Sequence, residues 1–68
     1  MNLFKERIKE LRTEKGLSQA QIEDELNLSR SMYSSWEQGR RQPSPDAIIM
    51  LCKFFDVTAG QLLGTEEL

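Results

Sequence analysis

Sixty-eight residues with one cysteine, no histidine and a formal net charge of −2 predict a single small domain over residues 1–68, with no disulfide to staple it and a reducing compartment to live in. The missing histidine removes the commonest metal ligand and general base, so a structural zinc site would have to be built from carboxylates. No apolar run is long enough to span a bilayer, and MNLFKERIKE lacks the apolar stretch of a signal peptide, which points to a cytoplasmic protein without membrane association.

Apolar spacing reads as helices throughout, with no alternating strand pattern. Phe4, Ile8 and Leu11 share one face of a first helix, about 3–15, and Gly16 supplies its stop. In LSQAQI, Ser18 is placed to cap a second helix (19–26), Gln21 to close the capping box, and Leu17 to clip onto Ile22. LSRSMY repeats the device: Ser29 caps a third helix (30–38) while Leu28 meets Tyr33. Ser44 followed by Pro45 opens a fourth helix (45–55). VTAGQL opens a fifth (59–63) through Thr58, Gln61 and the Val57–Leu62 pair. Gly64 ends it, and the TEEL tail is expected to fray. The reading is a compact all-α bundle of five short helices, each dependent on packing against the others.

Charge is unevenly spread. Eight of the nine positive residues fall in two segments, 1–15 and 29–42, and the second holds Arg30, Arg40 and Arg41 against Glu37 alone. A basic patch is therefore compatible with an acidic total. The second and third helices meet across Asn27-Leu28-Ser29, a turn short enough for helix-turn-helix geometry, with Asn27 able to adopt φ > 0. On the third helix, Tyr33 and Trp36 point into the core and Glu37 borders that face. Ser31, Ser34, Ser35 and Gln38 lie opposite, with Arg30 leading. Serine is an indifferent helix former, so three on one exposed face suit a helix whose backbone approaches a surface closely, such as a DNA major groove. A plain solvated face is the alternative. Gly39 ends the helix, and Arg40 and Arg41 stand where phosphates flank such a groove; neutralising the helix C-terminus would be their other use.

GLSQAQIEDELNLS, SMYSSWEQGRRQPSP and DVTAGQLLG together resemble the lambda-repressor and Cro (Xre) family of helix-turn-helix proteins over about residues 4–64. The resemblance implies a five-helix fold, with a helix-turn-helix at about 19–38, whose third helix reads bases as a homodimer on a pseudo-palindromic operator in double-stranded DNA. It implies base contacts from Arg30, Ser31, Ser34, Ser35 and Gln38, and phosphate contacts from Gln19, Arg40 and Arg41. It also implies a structural ion pair between Arg12 and Glu37. Three positions depart from the family pattern. Glu23 replaces the preferred alanine and must bend outward or pair, for instance with Arg30; Asn27 replaces the turn glycine; Tyr33 is bulkier than usual.

On the fourth helix Ile48, Leu51, Cys52 and Phe55 read as the core face, with Cys52 a small core residue. Ile49, Met50 and Phe54 are left over, and either fold under the fifth helix or, for Met50 and Phe54, form a dimer seam. The functional expectation is a bacterial or phage-encoded DNA-binding transcriptional regulator, a repressor. The competing expectation is a protein-interaction module such as the antitoxin of a toxin–antitoxin pair, with a second small chain as partner. No nucleophile–base pair, metal cluster or phosphate loop marks an enzyme, and no cofactor is implied. No sensing domain is visible, so the chain would respond through a partner or its own abundance, or belong to a longer protein.

Overall fold

Every helix predicted from apolar spacing forms, and the differences lie at the ends. The computed structural model describes residues 3–68 and places α1 at Phe4–Lys15, α2 at Gln19–Glu25, α3 at Met32–Glu37, α4 at Pro45–Phe55 and α5 at Ala59–Leu63, with no strand among the described residues. Both capping boxes are present: Gln21 N–H donates to Ser18 Oγ at 3.0 Å, Gln61 N–H to Thr58 Oγ1 at 3.0 Å, and each glutamine side chain accepts from its cap residue's N–H. Ser44 Oγ accepts from Ala47 N–H at 3.1 Å, with Pro45 opening α4. These local devices satisfy donors that a helix start leaves orphaned.

The third start departs from expectation. Ser29 makes no side-chain cap. The chain turns through Arg30 and Ser31, and α3 begins at Met32 rather than residue 30. Ser31 holds φ +70°, a left-handed conformation uncommon for a residue with a Cβ, so the helix cannot extend back through it. Arg30 and Ser31 therefore precede the helix instead of forming its first turn. Asn27 takes φ +54°, and Leu28 N–H returns to Glu23 O at 2.8 Å, which closes α2 and fixes the turn.

Phe4, Ile8 and Leu11 from α1, Ile22 from α2, Tyr33 and Trp36 from α3, Ala47, Leu51 and Phe55 from α4 and Leu62 from α5 form one core. Leu17 and Val57, the apolar residues before two of the caps, pack against it. The core line of α4 runs Ala47–Leu51–Phe55; Ile48 and Cys52 sit half-buried on its flank, a correction to the expected face. Burial still pushes the Cys52 thiol pKa up, away from the reactive thiolate. α1 packs on α3 and α5, α2 on α3, and α4 on α5, within about 29 × 23 × 19 Å.

The tail is pinned where fraying was expected. Arg7 Nη1 donates to the carbonyls of Gln61 (2.9 Å) and Glu66 (3.1 Å), Thr58 Oγ1 donates to Glu66 Oε1 at 2.6 Å, and the N–H groups of Thr65 and Glu66 return to Gly60 O. Thr58 and Gly60 are near in sequence, but Arg7 comes from the far end of the chain, which no local pattern displays.

Candidate nucleic-acid interface

α3 has only six residues, too few to hold itself, so its orientation is imposed from its inner side. Tyr33 is 0% and Trp36 3% exposed, with rings edge-to-face at 6.1 Å between centroids. The Tyr33 hydroxyl donates to Ile8 O at 3.1 Å, which ties α3 to α1, and burial pushes the phenol pKa far above its ordinary range.

At the C-terminal end of α3, Glu37 holds two elements at once. Arg12 Nε donates to Glu37 Oε2 at 2.7 Å and Arg12 Nη2 to Oε1 at 3.2 Å, while Arg12 Nη1 reaches Leu17 O at 2.9 Å. Gln19 Nε2 adds a hydrogen bond to Glu37 Oε1 at 2.9 Å. The Glu37 side chain is only 4% exposed. Burial alone would push its carboxyl pKa up, but hydrogen bonds from Arg12 and Gln19, with Tyr33 and the Arg12 charge adding to them, hold it below its ordinary value. A buried ion pair of this kind contributes more to fixing geometry than to net stability. Here it locks α1, the start of α2 and the end of α3 into one frame.

At the N-terminal end the device is Glu23, for which the sequence leaves open bending outward or pairing, with Arg30 as one example partner. It is buried, 9% exposed, and its Oε2 accepts from the Tyr33 N–H at 3.0 Å. A carboxylate from α2 thus caps α3, at the helix end that favours negative charge, and stands in for the Ser29 cap. The local signal for this was weak: only the departure from alanine at the tight α2–α3 contact marked the position.

With both ends fixed, the opposite surface is left free. Arg30, Ser31 and Gln38 are exposed; Ser34 and Ser35 are half-buried. Both hydroxyls donate to the Ser31 carbonyl, Ser34 Oγ at 3.1 Å and Ser35 Oγ at 2.7 Å. Gly39, at φ +75°, then turns the chain: its N–H bonds to Trp36 O at 3.2 Å, and the Arg40 N–H bonds to Ser35 O at 3.0 Å. This is a Schellman ending, for which glycine is the preferred residue. It throws Arg40 and Arg41 outward immediately after the helix, and both are exposed. Arg41 Nη1 touches Met32 Sδ at 3.8 Å; among the described residues the only ion pair within 4.0 Å is Arg12–Glu37. Arg30, Ser31, Gln38, Arg40 and Arg41 are thus exposed before and after α3 and Ser34 and Ser35 half-buried on it, whereas Gln19 is drawn toward Glu37.

Two apolar residues of α4 remain, and the groove that one of them lines also takes in Arg41 and Gln42. Met50 lines a groove of about 410 Å³ with Leu28, Met32 and Trp36. Phe54 packs edge-to-face on Phe55 and lies under the Lys15 ammonium, 5.4 Å from the ring centroid. Both are half-buried; Ile49, at 54%, is the more exposed.

Two helices joined by a fixed turn, the second pinned at both ends with a polar face outward, define a helix-turn-helix protein. A family model described as helix-turn-helix matches residues 8–62, and the chain belongs to that family, of the lambda-repressor and Cro (Xre) type. It is 42% identical over 65 residues to the transcriptional activator BcrR of Enterococcus faecalis, covering 96% of this chain and 32% of that protein. It is also 42% identical over 67 residues to the transcriptional regulator AnsR of Bacillus subtilis (strain 168), covering 98% and 56%. The phage CTXphi transcriptional repressor RstR of Vibrio cholerae is 26% identical over 65 residues, covering 96% and 59%. The chain thus spans between about a third and three-fifths of the length of these relatives. No solved structure gives a significant match.

Proposed function

We propose that this chain is a sequence-specific DNA-binding domain of a cytoplasmic transcriptional regulator, one that represses by occupying an operator and blocking polymerase. The observation that carries the reading is the polar set around α3: the Arg30 guanidinium and Ser31 hydroxyl just before the helix, the Ser34 and Ser35 hydroxyls on it and the Gln38 amide at its end. The helix is tied from behind, and just beyond it stand two exposed arginines that pair with no carboxylate among the described residues. The names of the relatives, a regulator, an activator and a repressor of transcription, support the class; the repressing sign is our own reading.

In this account Arg30 leads into the major groove and pairs bidentately with guanine, while Gln38 reaches base edges further along. A hydroxyl whose proton is already engaged still accepts, so Ser34 and Ser35 suit the amino groups of adenine or cytosine. Ser31, exposed at the entry to α3, also faces the bases. Arg40 and Arg41 take backbone phosphates, and Gln19 does so at the start of α2 while bonded to Glu37. The unit on DNA is a homodimer on a pseudo-palindromic site with half-sites about one helical turn apart. Met50 and Phe54 contribute to the dimer contact; unchanged self-association of Phe54→Asp in analytical ultracentrifugation would remove Phe54 from it.

Titrating duplex DNA at several salt concentrations is the test. Neutralising roughly 6–10 phosphates per dimer should cost about 10³–10⁵ in affinity between about 50 and 200 mM salt. A flat response to salt contradicts the proposed contacts.

A further inference from the structure

We propose that the cleft between the first turn of α1 and the loop after α3 is a seat for one DNA backbone phosphate, with Lys5 as its principal cation. The proposal rests on the DNA-binding reading above and adds a contact from α1, outside the helix-turn-helix.

The cleft, about 200 Å³, is lined by Phe4, Lys5, Trp36, Gly39, Arg41 and Gln42. Two of these are cations, one is an amide, and none is a carboxylate. The Lys5 side chain lies over Gly39: its Cδ and Nζ are 3.4 and 3.7 Å from where a Cβ on Gly39 would stand. Neither Lys5 nor Arg41 has a carboxylate within 4.0 Å among the described residues. Of the loop's own N–H groups, Gly39 is engaged with Trp36 O and Arg40 and Arg41 with Ser35 O. Those three N–H groups are therefore not free for an anion, and the side-chain donors among the lining residues are Lys5, Arg41 and the Gln42 amide.

Electrostatics explains why a second cation is needed. The cleft lies at the C-terminal end of α3, where the helix dipole opposes an anion. Arg41 alone would have to overcome that field; Lys5, arriving from another helix, adds a charge that sequence distance conceals. Arg41 belongs both to this cleft and to the loop beyond α3 that carries the proposed backbone contacts, so a phosphate held here would flank the groove that α3 is proposed to occupy. That position favours a phosphodiester of the same duplex over a free metabolite.

The test compares salt dependence of duplex binding for the wild-type chain, Lys5→Gln, Lys5→Arg and Lys53→Gln, the last a charge-matched change on exposed α4 outside the cleft. Lys5→Gln should lower the slope of log K against log salt by about 0.9 per bound protomer and weaken all sequences alike. Lys5→Arg should keep the slope, and Lys53→Gln should leave it unchanged. A second arm follows the backbone amides of Gly39 and Gln42 by NMR during titration with inorganic phosphate. Saturable shifts are expected in the wild type and not in Lys5→Gln. If duplex binding is salt-dependent but Lys5→Gln behaves like Lys53→Gln, the Lys5 seat is overturned and the DNA reading stands. If the wild type binds no duplex, the DNA reading fails and this proposal fails with it; phosphate shifts would then mark only an anion cleft.

Discussion

Replacing Glu23 with alanine isolates the device that positions α3. In the native fold the carboxylate accepts from the N–H of Tyr33, a residue that is 0% exposed, so truncation removes the protein acceptor of a buried donor. Losing a helix cap costs about 0.5–2 kcal/mol, and an unsatisfied buried donor about 1–3 kcal/mol; these describe the same event and do not add. The charge–dipole attraction lost is worth roughly 0.3–1 kcal/mol. Against this, alanine is the better helix former by a few tenths of a kcal/mol, and no carboxylate then has to be desolvated. The expected net loss is about 1–2 kcal/mol, or roughly 5–15 °C in Tm for a domain of this size. Glu23→Gln keeps an acceptor without the charge and should fall between the two. Urea and thermal unfolding followed by circular dichroism give the numbers. A Glu23→Ala chain as stable as wild type, with Glu23→Gln the least stable, would refute the capping role.

Three further outcomes follow from individual contacts. Because the folded-state pKa of Glu37 is depressed, its pair with Arg12 contributes fully above the ordinary carboxylate range and is lost as pH falls through the folded value. The urea midpoint should therefore drop more between pH 7 and pH 3 for wild type than for Glu37→Gln, and parallel curves would exclude the pair as the cause. Gly64→Ala should destabilise by about 2 kcal/mol or more, since φ is +88° and the new Cβ would lie 2.6 Å from Leu3 Cβ; Gly16→Ala, at φ +73° with nothing within 4 Å, should cost only about 1 kcal/mol. Equal losses in thermal unfolding would mean that the α5–α1 junction is not tightly packed. Ser31→Gly should relieve a left-handed serine, keep stability within about 0.5 kcal/mol of wild type or above it, and still weaken duplex binding in fluorescence anisotropy. Unchanged binding would remove the Ser31 hydroxyl from the reading face.

How far the sequence could be read depended on how far apart the partners stand. Ser18 with Gln21, Thr58 with Gln61, and Ser44 with Pro45 lie within one helical turn of each other, so three of the helix starts were legible from spacing. The inward turn of Tyr33 and Trp36 followed from helical periodicity, and the outward serines followed from it in turn. Ser29 misled because a cap-like serine before an apolar run looks the same whether or not a better acceptor arrives from ten residues upstream, as Glu23 does. Arg7 pins the tail across 54 and 59 residues, and Lys5 meets Gly39 across α1 and α3; neither juxtaposition leaves a local trace. On α4 apolar residues cover so much of the circumference that periodicity alone could not choose between Ile48 and Ala47 as the deeper neighbour of Leu51.

Selection of bound duplexes from random DNA, run in parallel with wild type, Arg30→Ala and Arg41→Ala, tests the claim that the outward edge of α3 reads bases. Wild type should enrich a two-fold symmetric motif with half-sites about one turn apart. Arg30→Ala should lose about 1–3 kcal/mol of preference at one base pair in each half-site, while Arg41→Ala should bind more weakly yet enrich the same motif. No enriched motif, or one that Arg30→Ala leaves intact, would contradict the account.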